Sequence, residues 1–298
     1  MAPRLIAAVS VGLAWSAMPT LAGAACTFNS FGDITNPGDP SCRDVQLTYT
    51  RDDDTGNNIA LGYDVPMPVD SLTPVDGFRT YQSLHEQHQA LDAMSAGVTG
   101  TVVGQTAAGR DIWAYRIGDP DDLTTGGAPE GAVLINGTIH AREWQSPEAV
   151  TEVFEQLTEI AGDGGFGQYL HENLNVVILP VLNVDGLLQT QRYPARATAS
   201  ELQPRDGRMR RKNMRHPNNG GTVDEDIDRT GDNFYGVDLN RNNPNGFGQN
   251  AGSSGNIISL VYRGPLAQGE PEIAALLEAA QLGPANRLRM FTDVHSYE

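Results

Sequence analysis

Ala132-Val133-Leu134-Ile135-Asn136-Gly137-Thr138-Ile139-His140-Ala141-Arg142-Glu143 is the stretch from which the fold is read. Its first part is a short apolar run with the length and branched side chains of a buried strand. Its last part leaves that strand carrying an imidazole and a carboxylate three residues apart, His140 and Glu143. Both can reach one cation. Zinc accepts neutral histidine nitrogen and carboxylate oxygen, and a catalytic zinc takes three protein ligands while keeping a fourth position for water. The pair is weak by itself, because in a chain with six histidines a His-x-x-Glu readily arises by chance.

Working outward, Ser146-Pro147-Glu148 reads as a helix start: an oxygen cap, a proline without a donor to waste, and a carboxylate at the positive end of the dipole. Val176 to Leu182 is a second buried strand. Upstream, Thr101 to Gln105 and Ile112 to Ile117 are strands around the Ala107-Ala108-Gly109-Arg110 turn. Before them Tyr81, Leu84, His88 and Leu91 recur at helical steps, which places His88 at the edge of the core. His85-Glu86-Gln87-His88 resembles a metalloprotease helix but spaces its histidines by three where that helix needs four. Downstream, Glu270-Pro271-Glu272 opens a helix through about Leu282, and Met290 to Val294 is a last strand. Strands alternating with helices predict an α/β layer fold with a mixed, mostly parallel twisted sheet flanked by helices.

Two further blocks give the first its meaning. Gly236-Val237-Asp238-Leu239-Asn240-Arg241-Asn242 follows a basic run, Arg208-Met209-Arg210-Arg211-Lys212-Asn213, and Phe291-Thr292-Asp293-Val294-His295-Ser296-Tyr297 comes near residue 298. Together, in this order, the three blocks resemble the zinc metallocarboxypeptidases of the carboxypeptidase A/B type. The likeness runs from about Gly77 to Glu298 and takes in Leu179 to Gly186 and Gly269-Glu270-Pro271-Glu272.

The resemblance implies one zinc ion per chain, held by His140, Glu143 and His295. It implies that Arg211 polarises the scissile carbonyl and stabilises the oxyanion, a sound role for a fixed guanidinium because that charge develops only in the transition state. It makes Asn240 and Arg241 the pair that grips the terminal carboxylate of the substrate, with Arg142 as a secondary contact and Tyr297 as a further substrate-binding candidate. The planar guanidinium fork suits a bidentate carboxylate contact. The implied activity is hydrolysis of the last peptide bond of peptides or proteins, with zinc-bound water as nucleophile. Relatives of this type carry a general-base glutamate, a closing tyrosine and a pocket floor beyond the second zinc histidine. No residue up to 298 maps onto these, so the expectation is that the chain as written is inactive or unstable, its last strand short of neighbours. Two other readings stay open: a catalytically silent module that binds carboxylate termini, and a zinc amidase or deacylase of the same fold.

Composition sets the remaining bounds. The 298 residues carry 37 Asp+Glu against 20 Lys+Arg, a net charge of −17, which repels phosphate backbones and anionic lipid and excludes nucleic acid as an expected partner. Residues 1–24 read as a signal peptide: Arg4, an apolar stretch from Leu5 to Trp15, and Ala22-Gly23-Ala24 as a cleavage site, too short to span a membrane. A secreted or periplasmic monomer, free of the membrane once the signal is removed, is expected. Residues 25–77 form an expected small acidic β-rich appendage, with strands at Val45 to Thr50 and Asn58 to Val65, and residues 78–298 the carboxypeptidase domain lacking its C-terminal part. Cys26 and Cys42 most simply pair as a disulfide in an oxidising compartment. Asp224, Asp226 and Asp228 alternate as calcium ligands do, although Arg229 stands where the EF-hand pattern wants glycine, and the same aspartates can instead neutralise the arginine run.

Overall fold

Gly131–Asn136 is a strand, as its apolar run predicts, and in the computed structural model it has a parallel neighbour on each side: Leu174–Leu179 and Leu288–Asp293. The structure describes residues 67–192, 208, 210–215, 236–249, 252–257 and 259–296. The expected signal peptide, Cys26, Cys42, the strands expected at 45–50 and 58–65, the aspartates 224, 226 and 228, and Tyr297 lie outside the described residues.

In chain order the elements are α1 (Tyr81–Met94), β1 (Val98–Gln105), β2 (Asp111–Ile117), β3 (Gly131–Asn136), α2 (Gln145–Ile160), α3 (Phe166–His171), β4 (Leu174–Leu179), α4 (Val184–Arg192), α5 (Pro271–Ala279) and β5 (Leu288–Asp293). The sheet runs β1-β2-β4-β3-β5. The mixed α/β architecture is as expected, with its parallel part made of β4, β3 and β5. The β1–β2 hairpin joins through an antiparallel β2–β4 pairing. Parallel neighbours need a crossover, and α2 and α3 supply it between β3 and β4.

Both faces of the middle of the sheet are covered, which is why β4 (Leu-Asn-Val-Val-Ile-Leu) is buried almost throughout. On one face Leu134, Val177 and Leu179 pack with Leu187 of α4 and Ile273 of α5. On the other, Val176 and Ile178 meet Val150 and Phe154 of α2 and Leu91 of α1. Burial of a side chain such as Phe154 contributes roughly 2–3 kcal/mol. Helix α1 starts where Thr80 caps it, its side chain accepting from Ser83 N, and it buries Leu84, His88 and Leu91 as their spacing predicts. His88 goes deeper than the core edge: it is 3% exposed, with Nε2 2.8 Å from Thr151 Oγ1.

Three local expectations are corrected. Ser146 does not cap α2: the helix begins at Gln145 with no side-chain cap, and Ser146 Oγ instead accepts from Thr138 N at 2.8 Å and donates to Val294 O at 2.6 Å. The second buried strand ends at Leu179, not Leu182, and α4 follows it. Most of that helix is buried, its polar Asp185, Gln189, Thr190 and Gln191 included. Helix α5, with Pro271 in its first turn, stops at Ala279. Strand β5 is an edge with no outer strand partner among the described residues, and it exposes Met290 and Phe291 at about half their surface.

Candidate functional site

The C-terminal ends of the three parallel strands converge on one site, where open α/β sheets place their ligands. After β3 the chain turns sharply through Gly137, where a Cβ would stand 2.6 Å from Pro180 O. Thr138 follows with a left-handed φ of 59°, a strained conformation held by bonds from its N to Ser146 Oγ and from its Oγ1 to Pro180 O. Leu182 N and Asn183 N donate to Gly137 O and Thr138 O, so the loop after β4 braces the loop carrying His140 and Glu143. The β3–β5 pairing is prolonged by Val294 N donating to Asn136 O, which sets His295 beside that loop.

His140 and Glu143 are each 2% exposed. Nδ1 of His140 lies 2.7 Å from Glu143 Oε1, and Nδ1 of His295 lies 2.8 Å from Glu143 Oε2, so one carboxylate faces both near nitrogens. One ligand atom from each of the three residues falls within 4.8 Å of the others. The far nitrogens face acceptors as well: His140 Nε2 is 3.2 Å from Asp238 Oδ1 and His295 Nε2 is 3.1 Å from Asp293 Oδ2. Ligating histidines typically hand their second nitrogen to such an outer carboxylate. Burial opposes charge on His140, but the Asp238 and Glu143 carboxylates outweigh it and hold its pKa above the usual histidine value. Burial alone would raise Glu143; the two imidazoles hold it below the ordinary carboxylate range. Asp238 is likewise held low, against its burial, by His140 and Arg211. Burial raises Asp293, partly offset by His295 and Asn136. The donor set, two imidazole nitrogens and one carboxylate, fits a divalent ion such as zinc.

The second block arrives beside it. Asp238 is fully buried and caps a 3-10 turn over Leu239–Arg241, accepting from Asn240 N. Its Oδ2 also accepts from Arg211 Nε at 3.0 Å, and Arg211 Nη1 lies 4.0 Å from Glu143 Oε1. Asn240 Nδ2 is 3.3 Å from His295 Nε2. Arg241 donates from Nε to Gly252 O and from Nη1 to Asn240 O, which fixes the plane of its guanidinium. Arg142 is half-buried on the His140–Glu143 loop. Of the residues singled out in the sequence, His140, Glu143, His295, Arg211 and Asn240 are brought together, and Arg241 flanks them. Asp238 and Asp293 were missed as site residues. The signal was present: each is a carboxylate within two residues of a site residue, and an imidazole that binds a cation needs an acceptor on its other nitrogen.

No helix among the described residues is long and apolar enough to cross a membrane. The profile of the zinc carboxypeptidase family matches residues 84–298. A metallocarboxypeptidase A-like protein of Trichophyton verrucosum (strain HKI 0517) is 33% identical over 218 residues, which cover 73% of this chain and 42% of that protein. Carboxypeptidase A1 of Homo sapiens is 26% identical over 229 residues, covering 76% of this chain and 46% of that protein. This chain thus spans under half the length of these curated relatives. The crystal structure of thrombin activatable fibrinolysis inhibitor shares the fold, with a TM-score of 0.52 at 20% identity over 77% of this chain and 51% of that one. The family profile covers well over half of the sequence, and on that match the chain belongs to the zinc carboxypeptidase family.

Proposed function

We propose that the chain is the site-bearing part of a secreted or periplasmic zinc carboxypeptidase that removes the last residue of peptides or proteins. The observation that carries this reading is the convergence of His140, Glu143 and His295 with Arg211 beside them. His140, Glu143 and His295 would hold one zinc ion, which when bound supplies a Lewis acid to polarise a carbonyl and to lower the pKa of water. The protein groups do the rest. Arg211, its Nε tied to Asp238, presents a fixed cation where negative charge develops on the carbonyl oxygen. Asp238 keeps His140 oriented, with its near nitrogen toward Glu143. Asn240 and Arg241, with Arg142 as a secondary contact, take the terminal carboxylate. An internal peptide bond brings no carboxylate to satisfy that clamp, which confines cleavage to the chain end.

The test pairs an N-acylated dipeptide bearing a free C-terminus with the same dipeptide as its C-terminal amide. The zinc-loaded protein is expected to take up one ion per chain and to bind the acid far more tightly than the amide. Equal affinity for the two, or no metal uptake at all, would sink the reading.

A further inference from the structure

Resting on that reading, we propose that Asn213 is a positioning residue that locks the segment carrying Arg211 to the segment carrying Asn240 and Arg241, so that oxyanion cation and carboxylate clamp keep one spacing. Asn213 is fully buried and touches none of the residues that would hold the zinc. Its side chain uses both of its donors and accepts one bond on its amide oxygen. Both protons of Nδ2 go to carboxylates of the α5 start, Glu270 Oε2 at 2.8 Å and Glu272 Oε2 at 3.1 Å. Its Oδ1 accepts from Val237 N at 2.8 Å.

The main chain repeats the same link. Asn213 N donates to Val237 O at 3.1 Å, and Asn213 O accepts from Arg210 Nη2 at 2.7 Å. Gly236 closes the junction with φ at 83°; a Cβ there would stand 2.1 Å from Asn213 O, so this crossing admits only glycine. The junction lies two residues from Arg211 on one strand of chain and one residue from Asp238 on the other. From it, Arg211 O reaches Ala141 N at 3.1 Å, tying the junction to the loop of His140. The far end of the second segment is fastened to the same helix start, since Asn242 Oδ1 accepts from Glu270 N at 3.1 Å.

An amide is the side chain this place needs. It offers two donors to two carboxylates and an acceptor to a backbone N–H, and no apolar residue of its shape can do either. A buried pair of acids left without those donors keeps acceptor oxygens without a partner, and such orphaned groups cost more than the bond itself contributes. Slack at the junction moves Arg211 and Arg241 independently, and small misplacements in such sites cost rate and affinity steeply.

The experiment measures, on the full zinc-loaded chain, the ratio of affinities for the dipeptide acid and its amide in the wild type and in Asn213→Ala. Thermal stability and zinc stoichiometry are recorded alongside. Loss of one or two charge-assisted bonds to the ligand lowers the ratio by about tenfold or more, with zinc stoichiometry unchanged. A residue that merely supports the fold would lower the melting temperature and leave the ratio where it was, and that result overturns the proposal. Should the alanine variant fail to fold, Asn213→Ser keeps one donor in place and is read in the same way, an unchanged ratio again overturning it. A wild type that shows no preference for the acid refutes the carboxypeptidase reading itself, whereas a preference present in the wild type and intact in both variants refutes only the role of Asn213.

Discussion

Nε2 of His140 lies 3.2 Å from Oδ1 of Asp238, and the two side chains are buried to within a few per cent. The contact joins the loop after β3 to a segment 98 residues later. It fixes which imidazole nitrogen faces Glu143, so it bears on metal affinity although Asp238 is no ligand.

Asp238→Asn is therefore expected to weaken zinc binding. Outer partners of ligating histidines typically matter by about ten- to a hundredfold in affinity. Competition against a chelator of known affinity checks this, and an unchanged dissociation constant would remove Asp238 from the site. The same substitution also weakens the bond to Arg211 Nε, so any hydrolysis should fall by more than the zinc deficit accounts for.

Arg211→Ala should leave zinc content intact while weakening the affinity for a phosphonate transition-state analogue by about a hundred- to a thousandfold, the size of the effect that loss of an oxyanion donor has elsewhere. Affinity for the dipeptide acid should move much less, because the guanidinium faces charge that appears only in the transition state. Calorimetry with the two ligands separates the effects. Equal losses for both would place Arg211 in ground-state binding instead.

Glu272 makes stability fall as pH rises from about 4.5 to about 8. Burial, then the neighbouring Glu270, pushes its carboxyl from 4.5 up to about 8. The folded state thus holds a proton that the unfolded state gives up, so the stabilisation is complete below about 4.5 and lost as pH rises through about 8. Glu272→Gln keeps the neutral shape and has no proton to lose. Denaturant melts at pH 5, 7 and 9 should show the variant gaining on the wild type as pH rises, and parallel curves would contradict the assignment.

His88 acts at the acid end. Burial, then the charges of Arg79 and His85, lowers its pKa from 6.5 to about 3, so it is neutral in the folded protein between Tyr115 and Phe154. Its contribution is complete above about 6.5 and is lost as pH falls through about 3, because the unfolded state takes up the proton first. His88→Gln should be less stable at pH 7 yet lose less on acidification from pH 7 to 5 than the wild type. Thermal melts across that range test it, and an equal acid loss in both proteins would refute it.

Much of this was legible in the linear sequence. Apolar runs of strand length marked β3 and β4 near their places, because strands covered on both faces need continuous apolar residues, and a shorter run marked the edge strand β5. The step of three and four along Leu84, His88 and Leu91 marked α1 because one face of that helix is wet. Helix α4 escaped for another reason: it is short and follows the apolar run of β4 with only four residues between them, so the run reads on past the end of the strand. Ser146 looked like a cap because its neighbours fit one, but a bonded role to Thr138 and Val294 won, and those partners lie 8 and 148 residues away.

At the site the division is similar. The candidates His140, Glu143, Arg211, Asn240, Arg241 and His295 came from three sequence blocks and the family they resemble, and the order of the blocks was readable without the fold. Tertiary structure alone decided that one Glu143 carboxylate faces two imidazoles, that Asp238 bridges His140 and Arg211, and that Asn213 joins three distant segments. Those relations are distances across the fold. Local propensity acts over a few residues, whereas parallel strand pairing brought position 143 against position 295, so they became visible only once the strands had found their neighbours.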